Sequence, residues 1–270
     1  MAEYYRELQR TAENCRELQR TTENYRIPQR NTHLTNSSKG PDPLSAAPDG
    51  ALDRALLGLL LDRYALAAEF VRGADVVDCA CGTGHGSELL AQAGARSVQG
   101  VDLDREALAF ARLRHAHPAV TYYEADACRY VPTPTPSVWV SLETIEHLPR
   151  PVEFVVHVAK VLAPGGRFIA SVPVTVSTDG DPHHLSDFSR ESFRALLKTH
   201  GFVEEKKLEQ SHRFSLGDAM GGPGAGSRRD RRRGLAAWYA RHPRVFVERV
   251  KLTLTKGLVN EYLTVVWRKK

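Results

Sequence analysis

The stretch Val76-Val77-Asp78-Cys79-Ala80-Cys81-Gly82-Thr83-Gly84-His85-Gly86-Ser87 decides how the rest of this 270-residue chain is read. The apolar run over residues 74–77 predicts a buried parallel strand. It ends on an acid, turns through glycines at 82, 84 and 86, and gives way to a helical run from Ser87 to Ala93. In open α/β sheets, a strand–loop–helix unit of this kind holds a ligand at the carboxyl ends of the strands. The glycines let the backbone approach that ligand with no Cβ in the way. A glycine loop alone serves several cofactor classes, so its flanks must discriminate among them.

Outward from the loop, the chain repeats the strand–helix alternation. Upstream, Leu52, Leu56, Leu59, Leu60, Tyr64, Ala67 and Phe70 predict an amphipathic helix that includes Arg63. Downstream, residues 97–102 form a second predicted strand ending on Asp102, about 18 positions after Gly84, near the distance at which such folds place a carboxylate on ribose hydroxyls. Asp104 caps the next helix. Residues 120–123 make a third strand, followed by Glu124-Ala125-Asp126-Ala127. A fourth strand over 137–142 leads into Glu143-Thr144-Ile145-Glu146-His147-Leu148. The helix from Pro151 to Leu162 is expected to turn Val152, Val155, Val156 and Ala159 inward. A Gly turn then enters the fifth strand, and a polar loop holds Asp179, Asp181, His183, His184 and Asp187. A helix over 190–200, a strand over 202–208 and a last strand over 260–267 complete the pattern.

Two regions stand apart. Residues 1–50 are expected to be a disordered tail and linker, opening with three ten-residue near-repeats too poor in apolar residues for a continuous stripe. Residues 51–270 are expected to form one domain, interrupted at about 209–250 by an insert with a Gly run and Arg228-Arg229-Asp230-Arg231-Arg232-Arg233. The net charge of +5 is modest and does not by itself announce nucleic acid. No apolar run reaches the roughly 18 residues of a membrane span. Four cysteines without a CxxC pair point to a reduced, cytoplasmic setting. Cys79 and Cys81 are expected to be packing residues rather than nucleophiles.

Asp78 would repel a pyrophosphate but welcome the ammonium of S-adenosylmethionine (SAM), and Ala80 stands where a dinucleotide fingerprint has its first glycine. The loop resembles motif I of class I SAM-dependent methyltransferases, D-x-[GA]-x-G-x-G. The segments around Asp102, Asp126, Glu143 to Leu148 and Pro164-Gly165-Gly166 follow in the order of that family. Arg63-Tyr64 resembles a pair that precedes motif I in methyltransferases encoded with glycosylation enzymes. The resemblance implies a Rossmann-like α/β fold with a seven-stranded, mostly parallel sheet and helices on both faces. It also implies cofactor contacts at Arg63, Asp78, Ala80, Gly82, Gly84, Asp102, Leu103, Asp126, Ala127 and Leu142.

The E-x-x-E-H run is similar to one shared by ubiquinone-biosynthesis O-methyltransferases and small-RNA 3′-terminal 2′-O-methyltransferases. In the RNA enzymes it holds a divalent metal together with a later histidine. The resemblance implies Mg²⁺ bound by Glu143, Glu146, His147 and one of His183 or His184, with open positions for substrate oxygens. The alternative is that the two carboxylates cap or salt-bridge a helix start while His147 acts alone as general base. Carboxylates and imidazoles in the 179–187 loop favour a sugar, glycan or glycosylated metabolite over a prenylated quinone, which would call for an apolar entrance; the chain has only two methionines. An RNA acceptor, with the arginines as a phosphate track, is the weaker reading because no stacking platform interleaves them. A non-catalytic SAM-binding protein is a third, and homo-oligomerisation is left open.

Overall fold

Strands buried on both faces need continuous apolar runs, and the centre of this sheet has them. Asp75–Cys79 and Val138–Leu142 are buried along their whole lengths. A computed structural model describes residues 51–175, 184–213, 239–241 and 243–270. The N-terminal repeats, the Arg228 to Arg233 cluster and His183 lie outside the described residues.

In chain order the described elements are α1 (Ala51–Ala68), β1 (Asp75–Cys79), α2 (His85–Gln92), β2 (Ser97–Asp102), α3 (Arg105–Arg114), β3 (Val120–Glu124), β4 (Val138–Leu142), a 3₁₀ turn (Ile145–His147), α4 (Pro151–Val161), β5 (Arg167–Pro173), α5 (Arg190–Thr199), β6 (Phe202–Arg213), α6 (Pro243–Lys256) and β7 (Val259–Lys269). The seven strands are ordered β3-β2-β1-β4-β5-β7-β6. β1 to β5 pair in parallel, and β7 enters antiparallel between β5 and β6. The order reverses between β1 and β4, so the carboxyl ends of these strands open onto the crevice where such sheets bind ligands.

One core layer gathers Trp139, Phe154, Phe168, Phe193, Phe202 and Trp267 on one face of the sheet. A second packs Tyr64, Ala67, Leu89 and Leu90 against Val76, Val98, Val140 and Ile169. Three details differ from the sequence reading. In α4 the buried residues are Phe154, Val155 and Val158, while Val152 and Val156 are about half exposed. The phase is set by Phe154, which packs edge-on to both Trp139 and Phe168 and outweighs two valines in apolar area. β6 runs to Arg213 instead of ending near residue 208, because its last five residues pair with Val259 to Leu263 of β7. Its polar Glu209-Gln210-Ser211-His212 segment carries no strand pattern, yet Gln210 and His212 are buried. Finally, the end of β6 and the first half of α6 occupy part of the region read as an insert.

Candidate active site

The loop after β1 is held by three left-handed positions at alternate residues, Ala80 (φ 57°), Gly82 (φ 53°) and Gly84 (φ 85°). At Ala80 a side chain accepts that conformation at a cost of about 1–2 kcal/mol. Gly84 has no alternative residue, since a Cβ there would lie 2.5 Å from the Tyr122 hydroxyl and 2.6 Å from Ala111 Cβ. Gly86 is equally constrained, because its Cβ would fall within the Tyr64 ring.

Asp78 sits beneath this loop, 1% exposed. Its carboxylate accepts hydrogen bonds from Ser87 Oγ at 2.7 Å and the Tyr64 hydroxyl at 3.2 Å. Burial pushes its pKa up from 3.8 to about 7, against the lowering effect of those two donors. The acid therefore ties α1, β1 and α2 together at the root of the loop. Cys79 and Cys81 are buried beside it and burial pushes both thiols up, as packing residues require.

At the end of β2, Asp102 Oδ2 accepts the Gly82 N–H at 2.8 Å and Oδ1 accepts the Asp104 N–H at 2.8 Å. The carboxylate thus spans the glycine loop and the start of α3. Next to it Leu103 is 66% exposed, an apolar surface at the crevice. Asp126 Oδ1 accepts the Cys128 N–H at 2.9 Å, and Ala127 packs at the edge of the core. Because β1, β2 and β3 are parallel and in register, these acids and the loop line one edge of the sheet.

The end of β4 carries a second constellation. Leu142 is buried, and Glu143 follows it at a left-handed φ of 50°. Ser171 Oγ accepts the Glu143 N–H at 2.9 Å and donates to Glu143 Oε1 at 2.7 Å. The same Oε1 lies 3.2 Å from an Arg63 guanidinium nitrogen. Arg63 is 3% exposed, donates to Gln210 Oε1 at 2.8 Å and lies 4.7 Å from the centre of the Tyr262 ring. Gln210 in turn donates to the Leu59 carbonyl. Arg63 and Glu143 are thereby partners across the α1–β4 boundary.

Glu146, His147 and His184 meet on the other side of the 3₁₀ turn, their ligating atoms all within 4.8 Å of one another. Glu146 is fully buried and His147 is exposed. The two imidazoles stand edge to face, 4.7 Å apart. The Glu146 carbonyl accepts the N–H groups of Leu185 and Ser186, which anchors the segment carrying His184 onto the turn. The structure therefore brings together three of the residues expected at a metal and directs Glu143 elsewhere. Sequence reasoning missed Ser171, Gln210, Tyr262 and Tyr122, which lie outside any motif. It also missed His85, Glu88 and His115, whose ligating atoms converge within 4.8 Å on a different face.

Residues 77–170 match the family model described as a methyltransferase domain. A Mycolicibacterium smegmatis protein named "Probable S-adenosylmethionine-dependent methyltransferase/" is 33% identical over 162 residues, covering 57% of this chain and 62% of that protein. A Burkholderia multivorans protein named "Ubiquinone biosynthesis O-methyltransferase" is 36% identical over 98 residues, 35% of this chain and 42% of its own. The chain thus spans less than two thirds of the length of these relatives. Among solved structures, a Bacillus halodurans protein superposes with a TM-score of 0.61 at 20% identity, covering 77% of this chain and 98% of that one. The N-methyltransferase NodS of Bradyrhizobium japonicum, solved with S-adenosyl-L-homocysteine, gives 0.53 at 15% identity over 82% and 89%. The seven-stranded sheet is the Rossmann-like methyltransferase fold expected from the sequence.

Proposed function

We propose that this chain, with its methyltransferase domain at residues 77–170, is a SAM-dependent O-methyltransferase acting on a hydroxyl of a sugar, glycan or glycosylated metabolite. The observation that carries the proposal is the Glu146–His147–His184 cluster just past β4, on the same sheet edge as the glycine loop. In this reading, Gly82, Gly84, Asp102, Leu103 and Asp126 seat the cofactor. Asp102 keeps lone pairs for ribose hydroxyls beyond the two N–H groups it already accepts. The acceptor oxygen attacks the SAM methyl carbon as the carbon–sulfur bond breaks. The products are a methyl ether, S-adenosyl-L-homocysteine and a proton. Sulfonium is already a strong electrophile, so alignment and removal of that proton are what the protein must supply. In the metal-free form of this reading, His147, exposed beside buried Glu146, takes it.

The cluster also fits a divalent ion. Glu146, His147 and His184 would hold it, and when bound it would lower the pKa of an acceptor hydroxyl. With Glu143 engaged by Arg63 and Ser171, the donor set is one oxygen and two nitrogens. That set suits Mn²⁺ or Zn²⁺ better than the Mg²⁺ expected from the sequence, since hard Mg²⁺ takes mostly oxygen ligands. The Burkholderia relative keeps a phenolic acceptor as the second reading. Mass spectrometry with deuteromethyl-SAM and a panel of glycans and catechols tests both. Label on a sugar hydroxyl supports the first reading, label only on a phenol the second, and label on neither acceptor contradicts both.

A further inference from the structure

A second histidine–carboxylate cluster lies behind the glycine loop, outside the site described above. His85 opens α2, and Glu88, three residues later, shares its helical face. His115 closes α3, its N–H bonded to the Ala111 carbonyl. The ligating atoms of the three side chains lie within 4.8 Å of one another, and all three residues are half-buried. Glu88 Oε2 stands 2.6 Å from His115 Nδ1, while Glu88 Oε1 accepts the Gln92 amide at 3.2 Å. The His85 and His115 rings meet edge to face at 5.3 Å, and Phe110 flanks His115 at 6.1 Å. The backbone on both sides is fixed by one phenol, since the Tyr122 hydroxyl contacts the Gly84 carbonyl at 3.1 Å and the His115 carbonyl at 2.9 Å.

We propose that His85, Glu88 and His115 form a structural site for a zinc-class divalent cation that clips the start of α2 to the end of α3. Two imidazoles and one carboxylate are a Zn²⁺ or Co²⁺ donor set and a poor one for Mg²⁺ or Ca²⁺. Zinc–nitrogen and zinc–oxygen bonds of about 2.0–2.2 Å place neighbouring donors roughly 3.3 Å apart. The present spacings, 2.6 Å between Glu88 and His115 and at most 4.8 Å across the cluster, lie on either side of that value. Gln92 restrains the carboxylate as an outer hydrogen-bond partner does in metal sites. A cation is disfavoured at the N-terminus of α2, and the C-terminus of α3 offsets this. Partial exposure leaves water to complete the shell. The clip begins at the residue after Gly84, so it stiffens the loop from behind without touching the acceptor side.

Titrating the full-length, SAM-free protein with Co²⁺, followed by its visible absorption, and with Zn²⁺ by calorimetry tests this. The expected result is one equivalent that Glu88→Gln and His115→Gln each weaken at least about tenfold. His184→Ala should leave that equivalent intact, which separates it from the cluster past β4. Zn²⁺ should also raise the melting temperature of His184→Ala, in which the cluster past β4 is broken, but not of the Glu88→Gln/His184→Ala double variant. If circular dichroism shows His115→Gln unfolded, Glu88→Gln decides alone. Absence of binding at millimolar Co²⁺, binding unchanged by these substitutions, or loss only in His184→Ala would each overturn the proposal.

Discussion

Replacing Asp78 by asparagine should change the pH dependence of folding more than its absolute level. The native carboxyl is 1% exposed and burial pushes its pKa from 3.8 to about 7. An acid whose folded pKa is raised holds its proton in the folded state after the unfolded chain has released it. Its contribution is fully present below the unfolded value and is lost as pH rises through the folded value. Three units of pKa correspond to about 4 kcal/mol lost between about pH 4 and pH 7, with little further change above. Asparagine keeps an acceptor for Ser87 or Tyr64 and has no charge to bury. The variant should therefore be slightly less stable near pH 4, by about 1 kcal/mol, and more stable at pH 8. Urea denaturation of both proteins from pH 4 to 8, without SAM, measures the difference directly. A wild-type-minus-variant stability that stays constant across that range would refute the buried, proton-holding role of Asp78.

Gly84→Ala should cost about 2–3 kcal/mol in thermal unfolding and weaken SAM binding measured by calorimetry, because its Cβ would meet Tyr122 and Ala111 in a left-handed backbone. Glu143→Ala leaves the guanidinium of Arg63 buried with Gln210 and Tyr262 but without its carboxylate. Chemical denaturation should show a loss of about 2 kcal/mol, discounted for the 27% exposure of the Glu143 side chain, while Glu143→Gln should lose less. His85, half-buried beside His115, should titrate near pH 4 in metal-free protein by NMR, well below the ordinary 6.5, because burial and a second imidazole disfavour its charge.

The sheet was legible because strands buried on both faces need continuous apolar runs, and because the acids and glycines at their ends mark the turns. What escaped is where burial is polar. Glu209-Gln210-Ser211-His212 has no alternation of apolar residues, yet it extends β6 because Gln210 satisfies Arg63 in the interior. Glu143 and Glu146 look alike three residues apart, but a left-handed φ at Glu143 turns the chain so that one meets Arg63 and the other meets the histidines. Spacing in sequence carries no signal for such a backbone reversal. Nor does it show that His115, thirty residues beyond His85, is brought back to the same place at the end of α3.

The measurement closest to the central claim is deuteromethyl transfer by wild type and Glu146→Gln, read beside SAM affinity in the same samples. The wild type should label a hydroxylated acceptor. The variant should transfer at least about 100-fold more slowly, with SAM affinity within about twofold, if Glu146 serves the acceptor side and not the cofactor loop. Full transfer by Glu146→Gln, or loss of SAM binding in step with transfer, would contradict it.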